Sequence, residues 1–148
     1  VEAGAPFEAV ELDGMTEADV IISITSAFAP SLMAHHVSPG THVACMGTDT
    51  KGKQEVESAL LAKARVFTDE VAQSVTIGEA QHAVAEGLIS QSDVAQLGAV
   101  INGTHEGRSA DDQITLFDGT GVGLQDLAVA AAVVDLAVEK GIAIEVDF

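Results

Sequence analysis

Four short runs, residues 20–25, 42–46, 65–68 and 114–117, are almost wholly apolar and rich in β-branched side chains, and longer stretches with helical spacing separate them. A strand that is apolar on both faces has to be covered on both, and helices returning between successive strands supply that cover. The alternation predicts an α/β fold, a Rossmann-type parallel sheet with flanking helices. The tail, 142–146, reads as one more strand. Helices are expected over 30–37, 54–64, 94–101 and 124–140, the last ending at Gly141, which can take the left-handed cap conformation. Residues 71–93, punctuated by Gly78 and Gly87, are less regular, and no repeat or low-complexity run interrupts the chain.

With 148 residues and 47% hydrophobic side chains the chain can build one sizeable core and not two. The helix expected over 124–140 has little polar face, since Ala128, Ala130, Ala131, Ala132, Val133 and Val134 crowd it. Such a helix has to be buried on more than one side, which predicts a packing partner from another domain or another subunit.

Six Lys plus Arg stand against 23 Asp plus Glu, a net charge of −17. That field repels phosphate backbones and anionic lipid, so nucleic acid and membrane surfaces are poor partners. The longest apolar stretch, around 127–136 and broken by Asp135, falls short of the roughly 20 residues of a spanning helix. Scarce lysine also suits a salt-adapted protein that loses stability when screening is removed. The first residues, Val1-Glu2-Ala3-Gly4, have neither the basic start nor the apolar run of a secretory leader, and Cys45 has no second cysteine to pair with. A reducing, cytoplasmic location is the expectation, with Cys45 a small buried thiol and Asn102-Gly103-Thr104 a silent sequon.

Two loops could carry chemistry. Gly119-Thr120-Gly121-Val122-Gly123 joins a strand to the long helix, and Glu145 and Asp147 follow at a distance suited to a ribose contact. The dinucleotide spacing fails there, because the last glycine position falls on Leu124 or on Asp126; the loop reads instead as a turn that lets a ligand approach backbone. Gly47-Thr48-Asp49-Thr50-Lys51-Gly52-Lys53 follows the strand 42–46 at the carboxyl edge of the sheet, where open α/β sheets bind ligands. Lys51 and Lys53 lie within four residues of Asp49 and favour its ionised form, so that it could accept and return a proton. The five histidines, His35, His36, His42, His82 and His105, have no metal-ligand spacing, and no metal centre is expected.

Taken together, Ala18-Asp19-Val20-Ile21-Ile22-Ser23-Ile24-Thr25, then Pro39-Gly40-Thr41-His42-Val43, then Gly47-Thr48-Asp49-Thr50-Lys51-Gly52-Lys53-Gln54-Glu55, and finally Asp111-Asp112-Gln113-Ile114-Thr115-Leu116-Phe117-Asp118-Gly119-Thr120-Gly121 with Leu124-Gln125-Asp126, resemble the ornithine cyclodeaminase and mu-crystallin family. The D-x-x-G-K and F-D-x-x-G elements carry the resemblance in combination. It implies NAD or NADP as cofactor, and it implies that residues 1–148 are the second part of a dinucleotide-binding domain. The glycine fingerprint and the substrate and dimerisation domain would then lie elsewhere. It further implies that Asp49 is the catalytic acid/base and contacts substrate, and that Met46, Gly47 and Thr48 meet the cofactor through their backbone. Thr25 and Lys53 would lie beside the same ligand, with Gly119 and Thr120 near nicotinamide and substrate; many relatives have Ser where this chain has Gly119. The substrate class is a small amino acid or cyclic imine, handled by oxidation, loss of ammonia and cyclisation or by imine reduction, in a homo-oligomer. A cofactor-binding module without catalysis, like the crystallin members, and a small self-contained protein that oligomerises through its Ala-rich helix are the rival readings.

Overall fold

A computed structural model describes residues 8–146. Residues 1–4 and Asp147, considered above for a leader and for a ribose contact, lie outside them. Five strands, β1 (Val20–Ser23), β3 (His42–Cys45), β5 (Arg65–Thr68), β6 (Val94–Gln96) and β7 (Thr115–Asp118), form an all-parallel sheet in the order β1-β3-β7-β5-β6. A second, two-stranded parallel sheet pairs β2 (Phe28–Leu32) with β4 (Gln54–Val56). The helices are α1 (Ser58–Lys63), α2 (Val71–Ser74), α3 (Ala80–Ala85), α4 (Leu97–Ile101) and α5 (Gly123–Glu139).

Strand register explains the core. Ile21, Val43, Leu116, Val66 and Val94 are Cα partners across all five strands, so one residue from each falls in a single row. All five are buried, and they form one cluster with Leu60 and Leu61 of α1, Ala80 and Ala83 of α3, and Leu32 and Val56 of the small sheet. Burying a side chain of this size contributes roughly 1.5–3 kcal/mol, so this row alone fixes which face carries the helices. Two residues further along, on the same face, the row becomes Ser23, Cys45, Asp118 and Thr68. The polar groups that organise the site begin there.

The structure corrects several sequence expectations. Residues 30–37 are not a helix: β2 runs to Leu32 and a single turn of 3₁₀ helix follows at Ala34–His36. Likewise 54–64 opens with β4 and 94–101 with β6, each ahead of a short helix. Strands of three residues are shorter than any window in which periodicity can be read, and pairing to a neighbour decides their conformation. The tail 142–146 is not a strand. The N–H of Ile142 closes the end of α5 on the Ala137 carbonyl, and Ile144 is 85% exposed.

The largest departure concerns α5. None of its residues is buried, and Leu124 is 70% exposed. The expected burial on more than one side is absent among the described residues. The outer face of β1 is bare in the same way, with Val20, Ile22 and Ile24 exposed and no strand paired along that edge among the described residues. No helix of the described residues is long and apolar enough to cross a membrane.

Candidate functional site at the carboxyl edge

Because the sheet is all parallel, the loops leaving β1, β3, β5 and β7 meet at one edge. Four carboxylates tie them together. Glu55, fully buried, accepts the Ser23 hydroxyl and the Thr25 N–H on Oε1, each at 2.6 Å, and the Gly47 N–H on Oε2 at 2.8 Å. The loops after β1 and β3 are thereby joined through one side chain. Glu79, just before α3, accepts the Thr48 hydroxyl at 2.5 Å and the N–H groups of Glu55 and Val56 at 2.9 and 2.8 Å. Asp118 at the end of β7 accepts the Ser74 hydroxyl at 2.5 Å and the Glu79 N–H at 2.9 Å on Oδ2, while its buried Oδ1 has no partner. Asp69, after β5, takes the Thr120 hydroxyl at 2.6 Å and the N–H groups of Thr120 and Gly121 at 3.1 and 2.9 Å.

Asp49 stands outside this buried set. It follows β3 on the loop after Gly47, with its side chain 62% exposed. Lys53 Nζ donates to its Oδ1 at 2.7 Å and the Thr50 hydroxyl to the same oxygen at 3.1 Å. The Lys53 hydrogen bond, with that from Thr50, holds the Asp49 carboxyl below its ordinary range. Lys53 also reaches the Gly47 carbonyl at 3.4 Å, so its stem spans the loop from end to end. The chain turns back at Gly52, whose φ of +89° is one that glycine tolerates best.

The other expected site residues fall around this loop. Thr25 is exposed and contributes its N–H to Glu55; Met46, 43% exposed, presents its thioether at the end of β3. Gly47 lies so close to the loop after β1 that a Cβ would fall 2.5 Å from the Thr25 nitrogen and 2.9 Å from Glu55 Cδ. The Thr48 side chain points inward to Glu79, and the Thr120 hydroxyl inward to Asp69 and to Gln73, 2.8 Å away. A Cβ on Gly119 would meet the Met46 thioether at 2.8 Å, so the space that a serine would occupy is filled by a flexible side chain.

These contacts define what kind of ligand the edge fits. The N–H groups of Thr25, Met46, Gly47 and Gly119 are all taken, by Glu55, the Ser23 carbonyl, Glu55 and the Cys45 carbonyl. None is free to cradle a phosphate. What β1 and β3 offer at their ends is an apolar shelf of Ile24 and Met46 beside a close backbone approach at Gly47, which suits a flat ring better than a pyrophosphate.

Sequence reasoning gave no role to Glu55, Glu79, Asp69 or Gln81. The available signal was an acid next to an apolar strand residue, as at Glu55 before Val56 and Asp118 after Phe117. Such acids are buried only when several donors reach them. Cys45 is buried as expected, and burial with the nearby Glu79, Asp118 and Glu55 carboxylates pushes its thiol well up, leaving it protonated.

Burial also governs Glu79 and Asp118. It pushes Glu79 up to about 7 and Asp118 up to about 6, against the pull of their hydrogen bonds. A carboxyl whose folded value lies above its unfolded one binds protons more tightly when folded. Its contribution is complete below about pH 4 and is lost as pH rises through 6 to 7. Asp69 runs the other way: burial raises it, but the Thr120 and Gly121 donors outweigh that and hold it low, so its contribution is lost only in strong acid. Wild-type protein is therefore expected to resist urea better at pH 5.5 than at pH 8. Glu79→Gln, which keeps an acceptor for the Glu55 and Val56 N–H groups, is expected to shrink that difference by an amount on the order of 2 kcal/mol. Equal differences for the two proteins would contradict the assignment.

Among the described residues one group, Asp13, His35 and His36, brings three ligand atoms within 4.8 Å of one another. His36 Nδ1 accepts the Met33 N–H at 3.1 Å, which leaves the proton of the neutral ring on Nε2, the atom facing Asp13. That nitrogen has no lone pair for a metal, and the group reads as a contact between two turns, with His36 Nε2 and Asp13 Oδ1 3.5 Å apart.

A parallel sheet with its polar loops gathered at the carboxyl edge places the chain among α/β domains that bind ligands at that edge. Residues 6–141 match the ornithine cyclodeaminase/mu-crystallin family, and the chain belongs to it. It is 65% identical over 147 residues to the iminosuccinate reductase of Paracoccus denitrificans, matching 99% of this chain and 46% of that protein. The crystal structure of that reductase in complex with NAD+ superposes with a TM-score of 0.92, covering 98% of this chain and 45% of the other. Alanine dehydrogenase of Archaeoglobus fulgidus is 39% identical over 131 residues, 88% of this chain and 41% of its own. An archaeal alanine dehydrogenase dimer with bound NAD gives a TM-score of 0.86 at 36% identity, over 94% of this chain and 44% of that one. The chain thus spans somewhat less than half the length of these relatives.

Proposed function

We propose that the intact protein carrying this chain is a cytoplasmic, NAD(H)- or NADP(H)-dependent oxidoreductase that interconverts a small amino acid and its imine, with Asp49 moving the proton. The observation that carries the proposal is the placement of Asp49, exposed at the carboxyl edge and paired with Lys53. In amino acid oxidation the ionised carboxylate takes a proton from the amine nitrogen; in imine reduction it returns one. The nicotinamide, when bound, takes hydride from the carbon bearing nitrogen or gives it back. The shelf of Ile24 and Met46, with the backbone of Thr25, Gly47 and Thr48 beside it, would hold that ring, Gly119 would border it, and Lys53 would keep the loop and its charge in place. Thr120 would border the substrate through its backbone, since its hydroxyl is engaged by Asp69. The relative with 65% identity favours iminosuccinate, whose reduction gives aspartate, and NAD over NADP. Ammonia loss with ring closure, as in a cyclodeaminase, would use the same proton transfer at a different amino acid.

The uncovered faces of α5 and β1 fit this reading. In the intact protein they would be covered by the remaining half of the polypeptide and by a second subunit, in a dimer like that of the archaeal alanine dehydrogenase. The test is NADH absorbance with the intact protein, oxaloacetate and ammonium, which condense to iminosuccinate in solution. Consumption of NADH that requires both reagents is expected. NADH binding without consumption, for this imine and for those of pyruvate and other 2-oxo acids, would favour the non-catalytic binding module instead.

A further inference from the structure

Helix α3 approaches the Asp49 loop from behind, and its second residue, Gln81, hydrogen-bonds three residues of that loop, Thr50, Gly52 and Lys53. Gln81 Oε1 accepts the Gly52 N–H at 2.7 Å, and Nε2 faces the carbonyls of Gly78, Lys53 and Thr50 at 2.9, 3.3 and 3.4 Å. This arrangement fixes the amide's orientation, because a flipped amide would set NH2 against the Gly52 N–H and oxygen against three carbonyls. His82, next in the helix, adds a bond from Nε2 to the Lys53 carbonyl at 3.1 Å. Thr50 and Lys53, whose backbones Gln81 holds, are the two residues that hydrogen-bond the Asp49 carboxylate.

We propose that Gln81 is a positioning residue for the reaction: by fixing the loop tip at Thr50, Gly52 and Lys53 it sets where the Asp49 carboxylate points and how firmly Lys53 grips it. The proposal rests on the reading of Asp49 as the proton-transfer group. The base of the loop does not depend on Gln81, since Glu79 holds Thr48, Glu55 and Val56. What Gln81 adds is confined to the segment that carries the partners of Asp49. The anchor is itself rigid, because Asp118 accepts the Glu79 N–H at the start of α3.

The test is Gln81→Met in the intact protein, which keeps side-chain length and removes every one of these bonds. L-aspartate oxidation by NAD+ is followed across pH. Expected are a melting temperature within about 3 °C of wild type, cofactor affinity within twofold, and kcat lowered on the order of ten- to a hundredfold with little change in KM. The acidic limb of kcat should also move up by about half a unit to one unit, because Lys53, the charged group facing Asp49, and Thr50 are then held less firmly. Wild-type kcat and an unmoved limb would overturn the proposal, as would a kcat loss that merely follows a large fall in melting temperature with the limb in place. Asp49→Asn measured alongside separates the two levels. If it retains turnover, the reading of Asp49 fails and the role of Gln81 falls with it; if it is inactive while Gln81→Met behaves as wild type, the failure belongs to Gln81 alone.

Discussion

Gly47→Ala is expected to destabilise the fold by about 3–5 kcal/mol, the range reached when a buried network is broken and backbone is pushed apart. The methyl group would sit against backbone, 2.5 Å from the Thr25 nitrogen and closer still to the Thr25 carbonyl oxygen. Neither atom can move without separating the carboxyl ends of β1 and β3. That separation would break the N–H bonds of Thr25 and Gly47 to Glu55 and leave its buried carboxylate short of donors. For a chain of this size such a loss lowers the melting temperature by roughly 10 °C or more. Gly119→Ser is the matched comparison. Its Cβ would meet chiefly the Met46 thioether, the flexible end of a side chain that can swing away, so a cost of less than about 1.5 kcal/mol is expected. Urea unfolding of both variants checks the pair, and a Gly47→Ala protein within 1 kcal/mol of wild type would show that the two loops are not held in contact.

The parts of this molecule that are legible in its sequence are those whose signal is local. The strands at 42–46, 65–68 and 114–117 stand out because each run is mostly apolar and rich in residues that favour extended backbone, and the structure places each within one residue of its expected bounds. Helix α5 stands out because alanine-rich spacing sustained over four turns admits nothing else, and Gly141 follows it with a φ of +67°. Where the sequence misleads, a contact distant along the chain decides. Gln54, Glu55 and Val56 look like the first turn of a helix until β2 pairs with them. The tail 142–146 has strand composition but no strand edge beside it. The burial expected for α5 on more than one side is not met among the described residues, none of its residues being buried.

The site divides along the same line. Gly47, Thr48, Asp49 and Lys53 lie within one seven-residue segment, where their residue types and spacing can be read directly. The groups that hold them, Glu55, Glu79, Gln81 and Asp118, come from three segments and meet only through the parallel register that brings Cys45 beside Asp118 and the turn that brings α3 behind the loop. A buried acid in sequence resembles a solvated one, particularly in a chain with 23 of them. Only the three-dimensional count of donors separates the carboxylates that organise the edge from the one that faces outward.

That outward carboxylate carries the functional claim, and Asp49→Asn isolates it. The amide has the same size, and an exposed position leaves the fold and the Gly47 shelf untouched, so structure and cofactor affinity are expected to stay near wild type. Under the proposed function the substitution removes proton transfer, and loss of a positioned acid/base lowers rate by about 10²–10⁴-fold. The direct measurement is single-turnover reduction of iminosuccinate by the intact Asp49→Asn protein, with NADH fluorescence giving the cofactor dissociation constant in the same samples. A rate lowered at least a hundredfold at unchanged cofactor affinity is the expected result. Turnover within tenfold of wild type, or a rate that falls only in step with lost NADH binding, would contradict the assignment of proton transfer to Asp49.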